Sequence, residues 1–231
     1  MKNIFDKVKI DSKTKLENFS KYVTRRTLTR FLAHNELFKL QLEVQGNIVE
    51  CGVHHGGGLM TWAKLSSIYE PINYHRKIIG FDTFSGFPDV HKFDKGNIHA
   101  KVGSFDETAN YDVYKELNSV IGEYDKERFI SNINKIELIK GDVKNTIPQF
   151  LKDNKFCLVS LLYLDFDIYE PTLIALKNFI SRMPKGAIIA FDELNNKNWP
   201  GETVALLESI DINNFEIKRF NFEPNISYLK L

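Results

Sequence analysis

Cysteine is scarce in this chain, and so is any excess of charge: two cysteines stand among 231 residues, and 31 Lys and Arg balance 30 Asp and Glu. Cys51 and Cys157 both sit in apolar, strand-like runs. That placement suits reduced core thiols in a reducing compartment better than a disulfide framework, so a cytoplasmic location is expected. A net charge of +1 supplies no whole-molecule field for a polyanion, so nucleic acid is not expected as a partner. No stretch reaches the roughly 20 apolar residues of a membrane span. The opening "MKNIFDKVKIDSKTK" also lacks the apolar segment of a signal peptide, so export by that route is not expected. No histidine follows His99, which excludes a histidine base from the C-terminal half.

What is present is an ordinary folded composition, 43% hydrophobic and 26% charged, long enough for one domain with a full core. Residues 1–45 carry Phe19, Tyr22, Val23, Leu28, Phe31 and Leu32 among many charges, a pattern that predicts a helical N-terminal extension. The basic stretch "KYVTRRTLTR" within it reads as a solvated helix face, with a local anion site for a diphosphate-linked acceptor or a subunit contact as the alternatives. From residue 46 onward a unit repeats. "NIVECGV" (47–53) reads as a buried strand, Gly56–Gly58 as a turn, and "LMTWAKLSSIYE" as a helix. Further strands are expected at 77–84, 135–143, 156–167 and 186–194, with helices near 125–133, 145–154, 170–182 and 201–210. "FEIKRFNFE" and "ISYLKL" read as a closing antiparallel pair.

Strands alternating with helices predict parallel βαβ crossovers and a sheet covered on both faces. The expectation is therefore an α/β Rossmann-like domain over 46–231, with a mostly parallel seven-stranded sheet. Residues 85–124 are polar and weakly periodic, and a connection of that length predicts a substrate lid.

In such sheets ligands bind beyond the carboxyl ends of the strands. Acids cluster there: Glu50, Asp82, Asp142, Asp165 with Asp167, and Asp192 with Glu193. So many carboxylates in one place repel unless a cation or hydrogen-bond donors offset them. The glycine turn lacks both G-x-G-x-x-G and G-K-[ST], so neither a dinucleotide nor a phosphate loop is indicated. An acid ending the second strand suits a ribose diol, and a nucleoside ligand without phosphate suggests S-adenosylmethionine.

"IVECGVHHGGGLM", "IIGFDTFSGFP", "LLYLDFDIYEPT", "GAIIAFDEL" and "WPG" together resemble the macrocin O-methyltransferase family over about residues 45–205. The resemblance implies a class I methyltransferase fold, S-adenosylmethionine as donor, Mg2+ or another divalent cation, a sugar or nucleotide-sugar acceptor, and a homo-oligomer. It assigns Glu50 and Gly52 to the donor's methionine end, Asp82 to ribose and Asp142 to the adenine side, with Val53, Gly57, Thr83 and Val143 beside them. It maps the metal ligands onto Asp165, Asp192 and Glu193. The catalytic set is Asp165, Asp192 and Asp167, one of them as base. Asp167 reads equally well as a helix start. His54-His55 replaces the family's Trp-Arg, and Glu193 stands where Asp is common. Tyr169 and Trp199 are candidates for stacking on a sugar, with packing as the alternative. Two other readings share these residues: methylation of a non-sugar diol such as a catechol, and a donor-binding partner protein without catalysis.

Overall fold

The structure, a computed structural model, describes residues 4–231 other than 96, 107 and 110. Three helices come first, α1 (Ile4–Lys7), α2 (Ser12–Glu17) and α3 (Arg25–Gln41). Then β1 (Asn47–Cys51), α4 (Gly57–Tyr69), β2 (Ile78–Asp82), α5 (Val113–Glu127), β3 (Ile136–Lys140), α6 (Val143–Asp153), β4 (Val159–Leu164), α7 (Tyr169–Phe179), β5 (Ile188–Phe191) and α8 (Gly201–Ser209) alternate. β6 (Lys218–Arg219) and β7 (Ser227–Lys230) close the chain. The seven strands lie in the order β3-β2-β1-β4-β5-β7-β6. β1 to β5 pair in parallel and β7 pairs antiparallel with β5 and β6. The order reverses between β1 and β4, and a crevice opens beyond the carboxyl ends of the strands at such a switch.

Strand periodicity divides the core in two. Ile48, Leu161, Tyr163, Ile188 and Ala190 face one cluster with Ala33, Leu37, Phe38 and Trp62. Val49, Cys51, Leu162, Leu164, Ile189 and Phe191 face the other, with Ile147, Leu176 and Phe179. Alternation carries the pattern past the strand ends, so Glu50, Asp165 and Asp192 fall on the side covered by α3 and α4.

Two sequence expectations shift. The helix expected near 125–133 is instead α5, ending at Glu127. Val113, Leu117, Ile121 and Tyr124 bury one face of it, so the long polar connection shortens to about 85–112. The reason is visible after the fact: their i, i+4, i+8 and i+11 spacing is helical, but charged residues between them masked it.

The other shift concerns α3, which is woven into the domain. Ala33, Leu37 and Phe38 are fully buried, whereas Phe31 and Leu32, two of the residues that suggested a helix, are 42% and 53% exposed. Buried Arg76 fixes the α3 C-terminus to the sheet. Its guanidinium donates to the carbonyls of Leu42 (3.1 Å), Val44 (3.0 Å) and Gly46 (2.8 Å), to Gln41 Oε1 (2.6 Å) and to Ser160 Oγ, and pairs with Glu70 (3.0 Å). Each buried carbonyl gains a partner that α3 and β1 do not supply. Arg76→Met leaves buried Glu70 without its cation and the Leu42 and Val44 carbonyls without this donor, and urea unfolding should report a loss of about 3 kcal/mol; a loss below about 1 kcal/mol, the worth of an ordinary hydrogen bond, contradicts this role.

Candidate active site

A cavity of about 550 Å³ opens at the switch point. It is lined by Glu50, Gly52, Val53, Gly57, Asp82, Thr83, Asp142 and Val143 on the β1–β3 side, and by Asp165, Asp167, Asp192 and Glu193 on the β4–β5 side. All the sequence-predicted site residues thus meet in one space. Its volume lies within the range of small-molecule sites, about 300–1,000 Å³.

The turn after β1 is built by close approach. Gly52 has φ +91°, and a Cβ there would lie 2.0 Å from the Asp165 carbonyl oxygen, so β1 and β4 can end side by side only with glycine present. A Cβ on Gly58 would stand 2.6 Å from Glu50 Oε1, and without it the start of α4 closes over that carboxylate. Glu50 is buried and accepts the Trp62 indole N–H at 2.5 Å. Burial pushes its carboxyl up to about 8, against the Trp62 hydrogen bond and the Arg30 charge.

Asp82 accepts three backbone N–H groups, from Val53 and His54 at 2.8 Å each and from Phe84 at 2.6 Å. Of the roughly four lone-pair sites of a carboxylate, most already shape the loops that form the cavity wall. Asp142 caps α6, accepting Lys144 N–H at 2.9 Å. His34 is buried against Trp62 (4.3 Å between rings) and Tyr163 (5.0 Å), lines the cavity, and its Nε2 has no hydrogen-bond partner among the described residues. Burial, with the Arg30 charge adding to it, pushes the imidazole down to about 3, so it is neutral. An unpartnered buried polar atom and a glycine-formed cradle together fit a nucleoside donor with polar groups at its other end.

The acidic end of the cavity holds a residue that the sequence reading placed on a solvated surface. Arg30 projects from α3 between the two aspartates: Nη2 lies 2.5 Å from Asp165 Oδ2, and Nη1 lies 2.9 Å and 2.8 Å from Asp192 Oδ2 and Oδ1. Nη2 also reaches the Tyr163 hydroxyl at 3.3 Å, and Tyr163 donates to Asp192 Oδ1 at 2.9 Å. Burial works against the Arg30 charge, but the surrounding Tyr163, Asp165 and Asp192 outweigh it and keep the guanidinium cationic. Burial and the neighbouring Asp192 push Asp165 upward, with Arg30 opposing them.

β4 stops at Leu164, and Asp167 takes a left-handed φ of 62°, so it does not continue the strand alternation of Asp165. Neither is it the cap of α7: Ile168 holds that position without a side-chain bond. The Asp167 N–H donates to Glu202 Oε1 at 3.2 Å, and Glu193 N–H donates to Glu202 Oε2 at 3.1 Å. Glu202, fully buried in α8, therefore fixes both turns and went unnoticed in the sequence. Burial, then Asp192 and Glu193, push Asp167 up to about 7. The Glu193 side chain is engaged by Asn196 Nδ2. Among the described residues no group of three His, Cys, Asp or Glu side chains is arranged to hold a metal ion. The residues as they stand do not fit the divalent cation that the sequence resemblance implies, because a guanidinium fills the space between Asp165 and Asp192.

Aromatic and basic groups line the same cavity. His54 and His55 stand edge to face at 4.1 Å, and His55 Nδ1 is 2.6 Å from the Tyr111 hydroxyl. Trp199 lies 6.2 Å from both Phe87 and Phe105, and all three face the space. Tyr169 does not; it stacks on His91 at 4.6 Å and bonds Glu208. Arg26, one turn before Arg30 on α3, is exposed and also lines the space. The i, i+4, i+8 series Arg26, Arg30, His34 was the available signal for this helix face.

The macrocin-O-methyltransferase (TylF) family matches residues 21–205. A crystal structure of CalS11, a calicheamicin methyltransferase, shares 33% identity with a TM-score of 0.92 and covers 96% of this chain and 86% of its own. The apo structure of CalS11, described as a TDP-rhamnose 3'-O-methyltransferase, shares 29% identity with a TM-score of 0.83 over 97% and 88% of the two chains. The O-methyltransferase NovP, at 18% identity and a TM-score of 0.63 over 87% and 78%, shares the fold. No curated protein sequence matches the chain. With α3 inside the matched region and the acidic crevice at its end, the chain belongs to the macrocin O-methyltransferase family and is an O-methyltransferase.

Proposed function

We propose that this chain transfers a methyl group from S-adenosylmethionine to a hydroxyl of a sugar carried on a nucleotide or a glycoside. The observation that supports it most is that the donor-side wall and the acidic β4–β5 end open into one cavity. A sulfonium methyl and an acceptor hydroxyl bound there would face each other without crossing bulk water. The donor supplies an electrophilic methyl group; the chain's own residues do the rest.

In this reading Glu50, through the start of α4, faces the donor's ammonium, and Asp82 holds the loops that cover the ribose. Asp167 accepts the hydroxyl proton as the oxygen attacks. It is placed for this by the turn after β4 and by Glu202, and its raised affinity for a proton makes it a better base than an exposed aspartate. Trp199, Phe87 and Phe105 offer an aromatic wall to a sugar face, and Arg26 at the rim offers a charge to a phosphate group. The TDP-linked sugar named for CalS11 is the acceptor class that combines both features. A catechol would use the aromatic wall but leave Arg26 without a role.

Methyl transfer to a panel of nucleotide-linked deoxysugars, followed with labelled donor, tests the acceptor class; transfer confined to catechols contradicts it. Asp167→Asn should lower kcat by about 100-fold or more, the usual worth of a positioned base, while calorimetry finds donor affinity little changed. Equal losses in both would instead make Asp167 structural.

Glu50 gives a pH signature. Its carboxyl sits near 8 in the free protein, so it is largely protonated at pH 7, and an ammonium beside it favours the ionised form. Donor binding should then release up to one proton near pH 7, and affinity should rise with pH until Glu50 is already ionised. Calorimetry in buffers of different ionisation enthalpy measures this, and an enthalpy independent of buffer contradicts the assignment.

A further inference from the structure

We propose that the guanidinium of Arg30 is the resident cation of this site, standing between Asp165 and Asp192 where the sequence resemblance implies a divalent metal, so that methyl transfer needs no bound metal. The proposal rests on reading this cavity as the methyl-transfer site, but its metal-binding test needs no acceptor.

Three observations carry it. The first is occupancy: Nη1 and Nη2 bridge the two carboxylates at 2.5–2.9 Å, and Tyr163 closes the ring by donating to Asp192 at 2.9 Å. Mg2+ requires oxygen ligands in near-octahedral array at about 2.0–2.1 Å, and these two carboxylates cannot offer that while a guanidinium lies between them. The second is the third expected ligand, Glu193, whose carboxylate is held by Asn196 and whose backbone is fixed by Glu202. The third is the mounting of Arg30. It projects from the second turn of a 17-residue helix, N-capped by Thr24 and anchored by fully buried Ala33, Leu37 and Phe38. A planar guanidinium that keeps its proton suits a fixed two-carboxylate bridge.

Arg30 is thus a positioning residue. It offsets the repulsion of Asp165 and Asp192, sets their orientation, and presents a positive edge to the cavity. Because it does not give up a proton, it is not itself the base.

The test is Mn2+ binding to the full chain, read by electron paramagnetic resonance of the free ion, with S-adenosylhomocysteine absent and present. Wild type should leave as much free Mn2+ as a protein-free control, whereas Arg30→Ala should gain a site that a second change, Asp192→Asn, removes. Labelled methyl transfer should be unaffected by EDTA, fall about 100-fold in Arg30→Gln, the scale for losing one preorganised electrostatic group, and recover in part in Arg30→Lys. Wild-type chain that takes up one equivalent of Mn2+, lost in Asp192→Asn, overturns the proposal, and so does activity abolished by EDTA. If Arg30→Ala does not fold, the wild-type titration decides alone. A wrong acceptor would silence the transfer assay but leave the Mn2+ result standing.

Discussion

Like charges held a few ångströms apart in a partly dehydrated crevice repel strongly, and here Asp165, Asp167, Asp192, Glu193 and Glu202 converge at the carboxyl ends of β4 and β5. The fold meets that repulsion from the opposite side. α3 lies across the sheet face on which Asp165 and Asp192 project, and it delivers Arg30 between them. The network around Arg76 ties the segment leaving α3 to the sheet: Arg76, just before β2, binds the Leu42, Val44 and Gly46 carbonyls, and Ser160 in β4 also donates to Gly46. The register of that helix over the crevice, and so the position of the Arg30 fork, depends on these buried hydrogen bonds at the far end of the sheet.

The division of labour within the cavity follows from the same geometry. Donor-side acids are satisfied by neutral groups: Glu50 by the Trp62 indole and Asp82 by three backbone N–H groups. At the β4–β5 end Asp165 and Asp192 are paired with a cation, Arg30, while the buried carboxylate of Glu202 accepts the backbone N–H groups of Asp167 and Glu193 and so ties together the turns after β4 and β5. In the function proposed above, the first end receives the positive charge of the sulfonium donor and the second supplies the carboxylate for proton transfer.

Much of this was legible in the sequence because strand periodicity and strand-end acids are local signals. β1 to β5, the closing β6–β7 pair and the convergence of Glu50, Asp82, Asp142, Asp165 and Asp192 follow from runs such as "NIVECGV" and "GAIIAFDEL". What escaped is non-local. Arg30 looks like any helix-surface arginine until the sheet brings Asp165, 135 residues away, to within a hydrogen bond. Asp82 reads as a ribose ligand from its place after β2, yet its lone pairs are largely taken by loops whose conformation the sequence does not display. Glu202 hides in a helix start, where an acid is ordinary. α5 was obscured because its buried face is only a narrow stripe among charges.

Crystals of the full chain with S-adenosylhomocysteine, soaked in Mn2+ and measured at a wavelength where manganese scatters anomalously, test the central claim most directly. The account predicts guanidinium density bridging Asp165 and Asp192 and no anomalous peak between them. An anomalous peak coordinated by those two carboxylates, with Arg30 turned away, would contradict it.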